Sequence, residues 1–442
     1  MMHRIGFIAL AGLGLMSTAG TALAAASADH SQDEVARGEY LSRAGDCVAC
    51  HTAPGGKPFA GGLEIDSPFG TIVSTNITPD PEAGIGDYSR DEFAAALREG
   101  ERADGANLYP AMPYTAYAKL SDDDIDALYA YFMQGVAPVD EAPAESDIGF
   151  PFDQRWGIGL WNWLFADTEA FEPREGQDAQ ITRGAYLVQG LGHCGSCHTP
   201  RGLFFQEKAQ DDDDEAFLAG ASLGGWWAPN LRGGGEGDAG LQGWRQEAIV
   251  EYLATGRNDH DAVVGEMTSV VANSTSHLTD DDLQAIAAYL KSLPREADGE
   301  EKQSDTTPAQ TERVLTAADV EADAGARLYL DNCNACHFAN GEGAAKVFPS
   351  LVGNELVNAD DPTGLLHVIL EGARLPSTPA KPEALAMPGF AWRLSDTEAA
   401  ELATFVRGAW GNHGDAVSAD QVAEVRETLP EDRETSAPDF EP

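Results

Sequence analysis

The chain has 442 residues, 43% of them hydrophobic, which gives room for about three domains that each bury a core. Its 73 acidic and 28 basic residues leave a formal net charge of −45. That balance excludes nucleic acid as a partner, because binding it needs basic patches, and it sets the surface against anionic lipid headgroups. The acid is spread along the whole chain, so it reads as a solvated, self-repelling surface rather than a docking face.

Residues 1–24 read as a secretory signal peptide. A basic start at His3-Arg4 precedes a short apolar run over 5–16, and Ala22-Leu23-Ala24 marks cleavage near 24–26. The run is short for a membrane span of about 20 residues. The mature chain is therefore expected in the periplasm. A first domain is predicted over 30–138. It opens on a helix carrying Gly38-x-Tyr40-Leu41, has a second helix over 89–100 with Ser89 and Glu92 at its cap, and closes on a helix begun by Ser121-Asp122-Asp123-Asp124 and running through Tyr131-Phe132.

Residues 139–177 form a linker with an aromatic run from Trp156 to Phe165, expected to pack as a connecting helix between the first two domains, the alternative being a membrane-facing or partner-facing patch. A second domain over 178–296 repeats the plan. It has Gly184-x-Tyr186-Leu187, a helix over 244–256, and a closing helix begun by Thr279-Asp280-Asp281-Asp282. After a linker over 297–314, a third domain over 315–412 repeats it again, with Gly325 and Leu328-Tyr329, a helix over 362–372 and a closing helix begun by Ser395 with Glu398. Residues 413–442 are acidic and Pro-containing and read as a disordered tail. The fold class expected is all-α, three tandem small helical domains.

All six cysteines fall into three copies of one pattern: Cys47-x-x-Cys50-His51, Cys194-x-x-Cys197-His198 and Cys333-x-x-Cys336-His337. An even cysteine count in an exported chain normally suggests disulfides. Here the spacing is instead the signature of covalent haem attachment. Two thiols one turn apart reach the two vinyl groups of one porphyrin, and the next residue, His, lies beneath the iron. A thioredoxin-like pair does not need that His. A structural zinc wants four ligands close together, and these motifs are about 140 residues apart in sequence. Gly190-x-Gly192-x-x-Gly195 spells a dinucleotide fingerprint, but it overlaps the second motif and lacks the strand–turn–helix setting.

An iron held by one His needs a ligand on its other face or an open site. Met112, Met267 and Met387 lie nine, twelve and eight residues before the caps of the closing helices, and are the expected sixth ligands. Met133 falls inside a helix and reads as core. His260 or His277 is the alternative at the second site, and His193 is expected at the surface or near a propionate. His–Met ligation at all three sites is the pattern of a carrier rather than a catalyst. Each proximal His also needs an acceptor for its other ring N–H. Carbonyls in Thr75-Asn76-Ile77, Pro229-Asn230-Leu231 and Pro349-Ser350-Leu351 are placed for this.

The three motifs and their downstream Met resemble class I cytochromes c. Ser74-Thr75-Asn76-Ile77-Thr78-Pro79-Asp80, Gly84-Ile85-Gly86-Asp87-Tyr88, Leu108-Tyr109-Pro110-Ala111-Met112-Pro113-Tyr114 and the stretch from Phe150 to Trp161-Asn162 narrow the resemblance. They are similar to the triheme cytochrome c subunits of bacterial membrane-associated alcohol, gluconate, sorbitol and fructose dehydrogenases, over nearly all of residues 35–412. The resemblance implies three covalent haem c groups and a catalytic dehydrogenase partner, a flavoprotein or a pyrroloquinoline quinone protein. It also implies delivery of electrons to ubiquinone or another respiratory acceptor, and peripheral association with the periplasmic face of the cytoplasmic membrane. Many such subunits anchor through an apolar C-terminal segment, which the acidic tail here does not resemble. No flavin or quinone cofactor site is legible in this chain. The alternatives are a multihaem enzyme such as a peroxidase, which needs one open iron, and a free or oxidase-associated carrier.

Overall fold

A computed structural model describes residues 30–233, 240–295, 304–318 and 323–429. The expected signal peptide lies outside these residues, as does the end of the expected tail, 430–442. The described residues form three helical units, each with its own apolar core.

In each unit the opening and closing helices cross. Gln32–Ala44 crosses Asp122–Ala130, Ala179–Tyr186 crosses Asp280–Ser292, and Ala324–Asn332 crosses Asp396–Gly408. The repeated glycine sits at the crossing point. A Cβ on Gly38 would lie 1.9 Å from the Ala127 carbonyl oxygen, one on Gly184 1.9 Å from that of Ala285, and one on Gly325 2.5 Å from that of Glu401. Only a residue without a side chain lets the two backbones approach so closely. Tyr131, Tyr289 and Phe405, late in each closing segment, press their Cβ atoms onto the same glycines. The aromatics therefore pack on the opening helix, as the sequence pattern predicts.

The closing helices start as their caps dictate. Ser395 and Glu398 form a reciprocal capping box. Ser121 and Thr279 each accept the amide of the third helical residue, Asp124 or Asp282, but the shorter Asp does not reach back. Those two carboxylates are engaged elsewhere. Arg37 Nη2 donates to Asp124 Oδ1 at 2.5 Å, and Arg183 Nε donates to Asp282 Oδ1 at 2.7 Å. The other oxygen of each takes a tyrosine from the neighbouring unit. Tyr186 Oη donates to Asp124 at 2.5 Å and Tyr40 Oη donates to Asp282 at 2.6 Å. In return each hydroxyl accepts a cap amide, from Ser121 and Thr279 respectively. Units one and two are thus joined by two copies of one contact, related by exchange of the units. The third unit has Ala324 and Arg327 where the others have Arg and Tyr, and is attached differently. Trp226 stacks on His367 with ring centroids 5.1 Å apart, Lys346 Nζ donates to Glu251 at 2.7 Å, and Asn354 Nδ2 donates to Asp261 at 3.1 Å.

The fold is helix-rich, as expected, and carries short antiparallel ladders that join Glu64–Ser67, Gly70–Val73 and Asp147–Ile148, then Ala221–Leu223 with Trp226–Ala228, then Gly372–Arg374 with Ala386–Pro388. The stretch read as a linker over 297–314 contains most of a helix, Pro308–Ala317, whose Leu315 enters the third core. The expected disordered tail is folded as far as residue 429. Helix Ala419–Arg426 buries Val422 and Val425, Leu429 follows, and Arg426 Nε donates to Asp396 at 2.8 Å. Its overall acidity hid an apolar stripe at helical spacing. The aromatic helix Trp156–Phe165 does bridge units one and two with one face, through Trp161 against Tyr114 and Trp161 Nε1 donating to the Phe204 carbonyl. Its other face is exposed, so the run is a connecting helix on one side and an open apolar patch on the other.

Gly184→Ala should overpack the crossing in unit two and lower stability by about 1–3 kcal/mol, read as a drop in the thermal unfolding midpoint. The seam between units two and three should depend on pH. Burial lifts the Asp261 carboxyl to about 6, against the opposing effect of hydrogen bonds from Ala262 and Asn354. Below about pH 4 it is neutral in both folded and unfolded chains and costs nothing. Between about pH 4 and 6 the unfolded chain has ionised this group while the folded state still holds its proton, so stability falls across that window and levels off above it. Asp261→Asn should stabilise the protein by about 1–2 kcal/mol at pH 7, and the gain should shrink toward zero by about pH 3, in paired denaturant titrations.

Candidate haem sites

Each C-x-x-C-H motif sits on a single helical turn just after the opening helix: Cys47–Cys50, Gly195–His198 and Asn334–His337. The turn places two thiols and one imidazole on a short, rigid stretch beside the core. Cys47, Cys194 and Cys333 all pack against the core of their own unit. Burial pushes the Cys47, Cys194 and Cys333 thiols up to about 12, and Cys50 to about 11. Reactive redox pairs and zinc ligands need the opposite, an environment that favours thiolate. All six cysteines are free rather than disulfide-bonded. Among the described residues no three His, Cys, Asp or Glu side chains converge as a metal-binding group.

The three imidazoles are held alike. Nδ1 of His51 lies 2.7 Å from the Thr75 carbonyl, Nδ1 of His198 2.8 Å from that of Pro229, and Nδ1 of His337 3.0 Å from that of Pro349. Each is the first carbonyl of the three-residue run that the sequence points to, including Thr75, whose run lacks the proline of the other two. With the Nδ1 proton given to a carbonyl, Nε2 carries the lone pair, which is the tautomer an iron ligand requires. Burial lowers the pKa of all three rings, favouring the neutral form further.

Met112 lies in a loop before the short helix Tyr114–Tyr117, Met267 in the first turn of helix Glu266–Asn273, and Met387 in the strand Ala386–Pro388. Each is half-buried and packs on the core of its own unit. The shared sequence position is therefore met by three different backbones. The histidines considered beside Met267 are occupied otherwise. His260 stacks on Trp244 with centroids 4.9 Å apart, and His277 Nε2 lies 3.1 Å from the Ala272 carbonyl. His193 is not at the surface. It lies between units one and two, with Nε2 3.3 Å from the Gly45 carbonyl and its ring edge-on to Tyr117.

The residues fit covalent haem on a structural test. Buried polar atoms without partners gather at the motifs: Asp46 Oδ1 before Cys47, Arg201 Nε just after His198, and Asn332 and Asn334 Oδ1 on either side of Cys333. Such atoms are rare in native interiors, and a ligand with an apolar ring and polar edges accounts for them.

The sites also lie close to one another. Gly45, two residues before Cys47, touches His193, the residue before Cys194, and Ser274 Oγ donates to the Ala44 carbonyl at 3.2 Å. On its other side Met267 shares a small apolar cluster with Leu375 and Leu385 of the third unit, two residues from Met387. Sequence reasoning found the motifs but not this adjacency. Tyr40 and Tyr186, which set it for units one and two, read in sequence only as helix positions.

The sequence matches the cytochrome c family over residues 35–135 and 181–294, and the family described as cytochrome C oxidase, cbb3-type, subunit III over residues 320–406. It is 48% identical to the gluconate 2-dehydrogenase cytochrome c subunit of Pantoea cypripedii, over 92% of this chain and 93% of that protein. It is 47% identical to the cytochrome c subunit of the alcohol dehydrogenase (quinone) of Gluconobacter oxydans (strain 621H), over 96% and 88%. It is 38% identical to the fructose dehydrogenase cytochrome subunit of Gluconobacter japonicus, over 89% and 82%. Matched along nearly its whole length, and built on cytochrome c domains, the chain belongs to the family of cytochrome c subunits of gluconate, alcohol and fructose dehydrogenases, whose role is electron transfer.

Proposed function

We propose that the chain carries three haem c groups, one per unit, and relays electrons from a catalytic dehydrogenase subunit in the periplasm to a quinone or another respiratory acceptor. Cys47 and Cys50, Cys194 and Cys197, and Cys333 and Cys336 form the thioethers. His51 with Met112, His198 with Met267 and His337 with Met387 would hold the three irons. Bound there, haem iron supplies one-electron redox chemistry. The chain's own residues fix the imidazole tautomer through Thr75, Pro229 and Pro349, exclude water with apolar cores, and hold neighbouring sites together. The observation that carries this reading is the threefold recurrence of one geometry, a C-x-x-C-H turn whose His gives Nδ1 to a backbone carbonyl. The partner, flavoprotein or quinoprotein, oxidises an alcohol, polyol or sugar acid. No observation favours a peroxidase.

Produced with an intact haem-attachment system, the mature chain should carry three covalent haems by mass and by haem-to-protein ratio, all low-spin and six-coordinate. A count of two, or a high-spin site, contradicts the assignment. Met267→Ala should convert one haem of three to a high-spin or water-bound spectrum and lower its potential, within the roughly 0.8 V range that axial ligation spans. An unchanged spectrum would remove Met267 from the ligand set.

A further inference from the structure

Helix Trp156–Phe165 is apolar on both faces and turns one of them to solvent. Trp156, Leu160, Trp163 and Leu164, spaced as one helical face, are 75%, 54%, 79% and 55% exposed. Of its ten residues only Ile158 is fully buried. The apolar surface continues onto the loop at Leu203 and Phe204, the first of them 98% exposed. Phe165 stacks on Phe204 with centroids 5.7 Å apart, and Trp161 Nε1 donates to the Phe204 carbonyl at 2.9 Å, so helix and loop form one surface. That surface is held rigidly outward. Tyr114 Oη donates to Asn162 at 2.7 Å and Arg155 Nη1 to the Asn107 carbonyl at 2.7 Å, which pins the helix by its inner face and its start.

No charged residue interrupts Trp156–Phe165 or residues 202–205, in a chain with 73 acidic and 28 basic residues. An exposed patch of this kind marks an interaction site, and its chemistry selects the occupant. A second copy would bring a second charge of −45 alongside the first, so self-association is opposed. A protein interface normally supplies about one hydrogen bond per 100–200 Å², whereas Trp156 and Trp163 offer only indole N–H groups here. Ten helical residues reach about 15 Å, too short to cross a bilayer. Tryptophan, leucine and phenylalanine without charge suit the boundary between zwitterionic headgroups and acyl chains, where indole rings settle.

We propose that this helix and loop are a monotopic membrane foot: the helix lies in the plane of a zwitterionic bilayer surface, with the outward face of Trp156, Leu160, Trp163 and Leu164 inserted. The acidic remainder of the surface is repelled by anionic lipid, so it directs the patch toward neutral membrane and keeps the rest of the protein away from it. The proposal deepens the periplasmic electron-carrier reading and rests on it for the membrane's presence.

The test is flotation of the full mature haem-loaded chain with phosphatidylcholine–phosphatidylethanolamine vesicles. The native chain should float, remain bound in high salt, and partition less as phosphatidylglycerol is added. The triple variant Trp156→Ser, Leu160→Ser, Trp163→Ser should lose about tenfold or more of its partition while its haem spectrum and thermal midpoint stay native. Failure of the native chain to float overturns the proposal, and so does unchanged flotation of the variant. Concentration-dependent dimerisation abolished by the variant, or loss of a copurifying dehydrogenase subunit without any vesicle binding, assigns the patch to a protein instead and also overturns it. The haem spectrum and reduction by a dehydrogenase are read separately, so failure here is distinguishable from failure of the carrier assignment.

Discussion

The crossing of opening and closing helices at a bare glycine is the constraint on which each unit depends. At Gly38, Gly184 and Gly325 two backbones meet with no room for a methyl group. That contact fixes the angle at which the opening helix delivers the chain to the C-x-x-C-H turn. It also fixes where the late aromatics of the closing helix lie. The proximal carbonyls of Thr75, Pro229 and Pro349 then meet their histidines because the loops are wrapped on a core already in place. Alanine at such a glycine would meet a backbone carbonyl rather than the far end of a flexible side chain.

From one plan the chain makes two kinds of junction. Units one and two exchange equivalent contacts, a tyrosine of each reaching the Arg-paired carboxylate at the other's helix start. Burial alone would raise the Asp282 carboxyl, but Arg183 and Tyr40 hold it below its ordinary value. A charge so satisfied makes the junction specific as well as tight. The third unit lacks the arginine and the tyrosine and docks through ring stacking and hydrogen bonds on a different face. The outcome is a run of neighbouring sites, the first two held by a reciprocal clasp and the third by a seam containing Asp261.

The aromatic helix between units one and two carries two demands at once. On its inner side Trp161 bridges the units and Asn162 ties the helix to unit one, while Trp156 and Trp163 face outward. An apolar run in sequence does not distinguish a buried face from an exposed one when both are apolar. The tail shows the converse. Its acidity pointed to disorder, yet Val422, Val425 and Leu429, with Arg426 bonded to Asp396, seat a helix on the third core.

The amino-acid sequence by itself determined the repeat, the cysteine–histidine motifs, the helix caps and the proximal carbonyls. Each is a local matter, fixed by spacing along a few residues or by side chains bonding to nearby backbone. Tertiary structure alone decided that Gly38-x-Tyr40 is a crossing point followed by a clasp. It decided that His193 lies between units rather than at the surface, and that Met112, Met267 and Met387 meet the cores of their own units from a loop, a helix and a strand. It also decided which face of Trp156–Phe165 meets solvent. These depend on residues from about 50 to more than 200 positions apart in the sequence, and they exist only once separate cores have formed and packed together.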